Sequence, residues 1–389
     1  MLKKWLLTTA GCVFCASLAQ AQLNNQALEN RQTAKPDQVG ELQLGINALG
    51  YSKNNEYFNN IADGYTLFGY HLNPRLVYQA TPHVRIDAGV QLQKDFGTKK
   101  YSLAQPTFSI RYEKDDKTLI FGTLEGHVNH GYIEPLYDFE RLMTNRLENG
   151  VQFLLNKPWL KLDAFIDWQR YLREGDPFQE VVAGGTVAEF ALYRTPASLD
   201  TDETTAGSEF YVGLPVQFTA MHRGGQIDVT DKPLDTFFNG TIGLILRKNY
   251  DKKVLHALYF QPYVVAFKDF SNTKQQAFTQ GTGIYLNAGV DTKYQNVMLS
   301  YWRGRGYVSE MGGQLYPSQS SNFLNPTFTQ EERDLLILRL MHDVRLAQGL
   351  TLTLRLEPLY DLNDPKLEFS NSLYLNFNTD FFLARLKKR

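Results

Sequence analysis

The chain has almost no cysteine. Its only two, Cys12 and Cys15, fall within the first 21 residues, in a segment that reads as a cleavable leader, so the mature protein is expected to hold no disulfide and no thiolate chemistry. Beyond that leader it has no apolar run of about 18 residues, which excludes a helical membrane span. It also has no charge excess. Without Lys3 and Lys4, 38 basic residues face 41 acidic ones, a net charge of about −3, and the basic surplus that nucleic acid demands is missing. There is no Gly-x-Ser-x-Gly elbow, no internal repeat and no low-complexity domain.

The leader rests on Lys3 and Lys4, the apolar run from Trp5 to Leu18, and the small-x-small close Ala19-Gln20-Ala21. Cleavage is expected after Ala21, giving 1–21 as signal peptide, 22–38 as a polar, aperiodic periplasmic lead-in and 39–389 as a barrel domain. Thr9-Ala10-Gly11-Cys12 could serve a lipoprotein, but the apolar run continues past Cys12 to a better site.

After the leader the dominant signal has period two. Leu373, Leu375, Phe377, Thr379, Phe381 and Leu383 alternate with Tyr374, Asn376, Asn378, Asp380 and Phe382; Val84, Ile86, Ala88, Val90 and Leu92 alternate with Arg85, Asp87, Gly89, Gln91 and Gln93. Each is a strand with one greasy and one wet face. Aromatics at 13% of residues suit rings placed at two membrane interfaces. A soluble β-sandwich would alternate as well, but the connections argue against it. Sixteen strands are expected, near 39–51, 65–79, 84–95, 104–113, 118–128, 149–156, 159–171, 179–193, 209–221, 237–247, 254–267, 282–293, 296–306, 333–344, 349–361 and 370–384. Short turns such as Lys114-Asp115-Asp116-Lys117 alternate with long loops such as 129–148 and 307–332, as in outer-membrane barrels. The fold class is therefore an all-β transmembrane antiparallel barrel, with fourteen or eighteen strands as neighbouring counts.

Parity sorts the faces. Leu160, Leu162, Ala164, Ile166 and Trp168 point to lipid, as do Leu350, Leu352, Leu354 and Leu356; Lys161, Asp163, Asp167, Thr351, Thr353, Arg355 and Glu357 point inward. Arg75, Arg85 and Arg111 from early strands and Arg339, Arg345 and Arg355 from late ones would flank the closing seam as a basic wall, with Asp163, Asp167 and Glu189 opposite. Such a lumen would orient charged solutes. Alternatively the ions pair across neighbouring strands and simply hold the barrel.

The most distinctive loop runs from Glu125 to Gly150 and carries His127, His130, Glu134, Tyr137 and Asp138. It could constrict the lumen or bind solute; a metal reading through His127, His130 and Glu134 is weak, because the spacing does not lie on one helical face. His222 and Arg223 open another loop, and Arg303 and Arg305 lie in a third. For a hydrolase, the candidate bases are His127, His130, His222 and His342, with Asp138 or Asp228 as partners. No cofactor is called for.

Leader, cysteine-free mature chain, loop alternation and the Leu373–Leu383 pattern together resemble porin-like outer-membrane β-barrels of Gram-negative bacteria over residues 39–384. The chain departs from them in ending Leu386-Lys387-Lys388-Arg389 instead of on an aromatic residue. The resemblance is architectural and brings no site residues. It implies an outer-membrane location with lipid as a partner. The expected function is passive diffusion of small hydrophilic solutes, and enzymatic activity is not the leading expectation. A barrel enzyme acting on envelope lipid or glycan, and a structural or assembly protein, are the other readings; a second copy of the chain or a periplasmic protein is a further candidate partner.

Overall fold

Alternating apolar and polar residues form strands because that spacing places every apolar side chain on one face of a pleated ribbon. The computed structural model describes Leu23 and residues 25–30, 32–125, 130–195 and 208–386. The first half holds β1 Glu41–Glu56, β2 Thr66–Thr81, β3 Val84–Asp95, β4 Leu103–Lys114, β5 Lys117–Thr123, β6 Asn149–Asn156, β7 Leu160–Arg170 and β8 Val181–Arg194. Then come β9 Glu209–Arg223, β10 in two segments, Asp235–Gly243 and Ile245–Asn249, and β11 Leu255–Asp269. The last are β12 Gln280–Thr292, β13 Asn296–Arg305, β14 Glu332–Ala347, β15 Leu350–Asp361 and β16 Lys366–Arg385.

The two segments of β10 are one strand. Ile242 lies opposite Val216 and Ile245 opposite Gly213, so the register to β9 is unchanged across the break at Leu244. Pro215, which faces the break, has no N–H to give the ladder. Consecutive strands pair antiparallel, and β1 pairs with β16 from Glu41 opposite Arg385 to Glu56 opposite Phe369. The sheet is thus a closed barrel of sixteen strands with no free edge. An even count puts both chain ends at the short-turn end, which is periplasmic in outer-membrane barrels.

The lipid face is the expected one: Leu354 and Leu356 are 41% and 42% exposed, whereas Thr353 and Arg355 are 1% and 3%. Strand β5 is shorter than the 118–128 read from the sequence and ends at Thr123. The leader 1–21 and residues 196–207 of the long periplasmic turn lie outside the described residues.

Loops pack into the lumen. Loop residues Tyr132, Ile133, Leu136, Tyr137, Tyr307, Val308, Met311 and Tyr316 share one buried apolar cluster with wall residues including Phe165, Phe237, Tyr285, Trp302 and Leu335. A short helix, α1 Arg141–Thr144, buries Leu142 and Met143 against Leu49, Tyr51 and Tyr374 of the wall, where Leu28 joins them. Residues 22–38, expected below the barrel, enter it where they are described. Leu23 packs with Tyr259, Met298 and Met341, and Asn376 Nδ2 donates to the Ala27 carbonyl at 2.8 Å.

A candidate active site between the plug and the wall

The expected basic wall is internally neutralised. Arg75 lies 3.4 Å from both Asp87 and Asp380. Arg85 Nε and Nη2 donate to Asp87 at 2.9 Å each. Arg111 meets Glu113 at 3.0 Å and Glu125 at 2.5 Å. Arg345 is exposed near the periplasmic end of β14. Of the opposite wall, Asp167 accepts the Asn149 N–H at 2.8 Å and Glu189 accepts the Tyr211 hydroxyl at 2.6 Å. Arg223 pairs with Glu310 at 2.5 Å. His222 is exposed on the outer face, with Nδ1 2.9 Å from Thr236 Oγ1. His342 Nδ1 meets the Tyr294 carbonyl.

His127 lies outside the described residues, and His130 and Glu134 are not brought together. His130 is buried, with Nε2 2.6 Å from Glu148 and Nδ1 2.9 Å from Asp163. Its ring stacks on Phe165 at 4.0 Å, and Tyr137 donates to Glu148 beside it. Burial disfavours the charged ring, but Glu148 and Asp163 outweigh it and raise the pKa to about 10. An imidazolium donating from both nitrogens has no lone pair for base catalysis, so His130 pins the plug. Among the described residues, no group of three or more His, Cys, Asp or Glu is placed to hold a metal ion.

Glu134 enters a different cluster, which lines a small pocket beneath Gly313 to Leu315. The wall supplies Lys53 from β1, Arg339 from β14, and Arg355 and Glu357 from β15; the plug supplies Glu134, Asp138, Phe139, Glu140 and Tyr316. Lys53 lies 3.1 Å from Glu140 and 3.7 Å from Glu357. Glu140 also accepts the Asn55 amide at 2.8 Å and the Tyr65 hydroxyl. Arg339 and Arg355 each reach Glu357 at 2.9 Å, and both grip Glu134.

Two groups in this pocket retain chemical freedom. Arg355 Nε and Nη1 are buried with no hydrogen-bond partner, while the guanidinium lies 4.0 Å over the Phe139 ring. Asp138 has its pKa raised to about 7, by burial first and then by the charge of Glu140, against the pull of the Glu140 N–H and Lys53. Three cations, Lys53, Arg339 and Arg355, line the pocket with four carboxylates, Glu134, Asp138, Glu140 and Glu357. A carboxyl that exchanges its proton near neutrality, beside uncommitted guanidinium donors, is equipped for general acid–base work on a group that develops negative charge.

Sequence reasoning identified Arg339, Arg355, Glu134 and Asp138 but missed Lys53, Glu140 and Tyr316. Lys53 had a readable signal, since the inward series Asn47, Leu49, Tyr51 continues through Lys53 and Asn55, past the expected strand end at 51. Glu140 and Tyr316 sit on loops, where no periodicity marks them.

Among solved structures, the chain is similar in fold to OprD of Pseudomonas aeruginosa (9% identity, 93% of this chain and 99% of that one, TM-score 0.43). It is similar also to OpdL of the same organism (12%, 87% and 99%, 0.47) and OccAB4 of Acinetobacter baumannii (10%, 89% and 100%, 0.45). Likenesses this distant carry no argument about activity. No curated protein matches. The sequence profile of the lipid A 3'-O-deacylase-type family matches residues 34–386. That match overturns the expectation of a passive solute channel and the leaning against an enzyme. The physical reason the channel reading failed is that it inferred an open lumen from strand number, whereas apolar loops fill it. Spanning nearly the whole described barrel, the match shows that the chain belongs to the lipid A 3'-O-deacylase-type family.

Proposed function

We propose that this chain is an outer-membrane ester hydrolase that releases an acyl chain from the 3' oxygen of lipid A, and that the pocket around Asp138 and Arg355 performs the chemistry. Membership of the family over residues 34–386 carries the reading of the activity. The same reading takes residues 1–21 as the leader that sends the chain across the inner membrane.

Ester hydrolysis needs a base to take a proton from water, donors for the oxyanion that forms at the carbonyl, and a proton for the departing alkoxide. Asp138 is the base: it takes the proton, the hydroxide oxygen bonds to the acyl carbon, and the carbon–oxygen bond to the sugar breaks. Asp138 then returns the proton to the sugar oxygen. The uncommitted N–H groups of Arg355 receive the oxyanion. The other ion pairs hold these two in place, and Phe139 fixes the guanidinium plane.

The test is mass spectrometry of lipid A incubated with the purified, refolded barrel. The wild type removes one acyl chain, with a rate that rises as pH passes about 7, where Asp138 loses its proton. Asp138→Asn lowers kcat about 10²–10⁴-fold, and Arg355→Met about 10²–10³-fold. Unchanged lipid A with a folded wild type would refute the activity. Full turnover in folded Asp138→Asn would refute the site and move the search to His127 and His222.

A further inference from the structure

A second polar cavity lies between the plug and the wall. It is a cavity of about 80 Å³ between the N-terminal segment at Asn30 and Gln32, the plug at Arg146, and wall residues of β1 to β5. Roughly 10–15 Å³ of such space holds one water, so it takes several waters or one small polyatomic ion. Its lining is polar, with the amides of Asn47, Asn73 and Gln91 and the hydroxyls of Thr107 and Ser109.

One cation there stands apart. Arg75, Arg111 and Arg146 line the cavity with Asp87 and Glu125, and Arg75 and Arg111 are also paired with Asp380 and Glu113. Asp87 is already shared by Arg75 and Arg85, and Glu125 is engaged by Arg111 at 2.5 Å. Arg146 has no carboxylate partner among the described residues. Its Nη2 donates to Asn47 Oδ1 at 2.9 Å, and its Nη1 is buried with no partner. Burial and the like charge of Arg75 lower its pKa to about 10. A buried guanidinium without a counter-charge is costly and is normally paired, and a planar fork of N–H donors matches an oxyanion.

We propose that Arg146, with Arg75, Arg111 and the Asn47 side of the wall, forms a binding site for a small oxyanion, phosphate or carboxylate. The ion supplies the missing negative charge. It also ties the plug, through Arg146, to strands β2 and β4 of the wall, which would otherwise repel it. The site is separate from the pocket at Asp138 and stands whatever ester the protein cleaves.

The test is titration of the full refolded barrel with inorganic phosphate, followed by ³¹P line width, in parallel with acetate followed by ¹³C line width, at constant ionic strength. The wild type is expected to show saturable broadening by one or both ions, each displaced by excess sulfate. Arg146→Gln is expected to lose at least tenfold in affinity, and Arg146→Lys, which keeps a charge if the neutral variant fails to fold, to bind more weakly than wild type. Broadening by phosphate alone identifies a phosphate site; broadening by acetate as well identifies a general oxyanion site open to a fatty-acid carboxylate. Absence of saturable broadening with either ion, or unchanged affinity in folded Arg146 variants, overturns the proposal.

Discussion

Glu134 is the plug carboxylate that grips two wall arginines at once. One oxygen lies 3.0 Å from Arg355 Nη2, and the other accepts Tyr316 at 2.9 Å and meets Arg339. Glu134→Ala leaves both guanidiniums with Glu357 as their shared counter-charge. Removing one side of a buried pair costs about 3–5 kcal/mol, or between about a hundredfold and a few thousandfold in an opening equilibrium. The strand ladder is independent of Glu134, so the cost falls on local release of the plug and not on the barrel. Hydrogen exchange reads this directly. The Leu142 and Met143 amides, bonded to the Phe139 and Glu140 carbonyls, should exchange faster by that factor, while amides in β15 hold their rates. Glu134→Gln, which keeps an acceptor without the charge, should fall between. Unchanged protection of Leu142 and Met143 in Glu134→Ala would refute the anchoring role, and an equal loss in β15 would show that plug and barrel are one cooperative unit.

Other outcomes follow from the same geometry. His130, with its pKa raised above the ordinary value of about 6.5, contributes stability that is full below that value and is lost as pH rises through about 10. The denaturant midpoint should therefore fall as pH rises from about 6.5 to about 10, and His130→Gln should flatten that slope. Phe165→Ala removes the ring stacked under His130 at 4.0 Å and should cost about 3–5 kcal/mol in the same assay. On the lipid face, Leu356→Arg should cost about 2–4 kcal/mol if it sits at mid-membrane depth, measured by refolding into bilayers. Steady ion conductance of the wild type in a planar bilayer would contradict a filled lumen.

The barrel was legible because its rule is local. A strand crossing a membrane must alternate, and every wrongly facing charge costs free energy, so Leu350 to Leu356 and Leu373 to Leu383 announce their faces residue by residue. Even the interrupted strand β10 was read as one, since a missing ladder bond opposite Pro215 leaves the alternation of side chains intact. The errors fell where alternation stops. Strand β5 was run on past Thr123, and β1 was cut at 51, because Lys53 and Asn55 look like loop residues until the cavity that receives them is known. The loop from Glu125 to Gly150 was legible as a candidate constriction, but not as a packed core. Tyr132, Ile133, Leu136 and Tyr137 are spaced as in any compact loop, and only burial against Phe165 and Phe237 from distant strands shows that they form a core.

The site lies beyond that local rule, because its chemistry depends on who pairs with whom. Arg339 and Arg355 were correctly turned inward, yet a charged inward face is equally what an aqueous channel requires; the distinction is set by Glu134, more than 200 positions before both in the chain. With Glu134 in place, the guanidiniums are consumed by structure except for Arg355 Nε and Nη1, and Asp138 becomes the carboxyl that the cations cannot fully compensate. Residue type could not rank Asp138 above Asp163 or Asp167. Its surroundings do, since burial first and the charge of Glu140 second bring its proton equilibrium to neutral pH. Pairing also singles out Arg146, which sequence reading passed over: among the described residues it bonds Asn47 and no carboxylate, and the expected remedy is a bound anion in place of a bound proton.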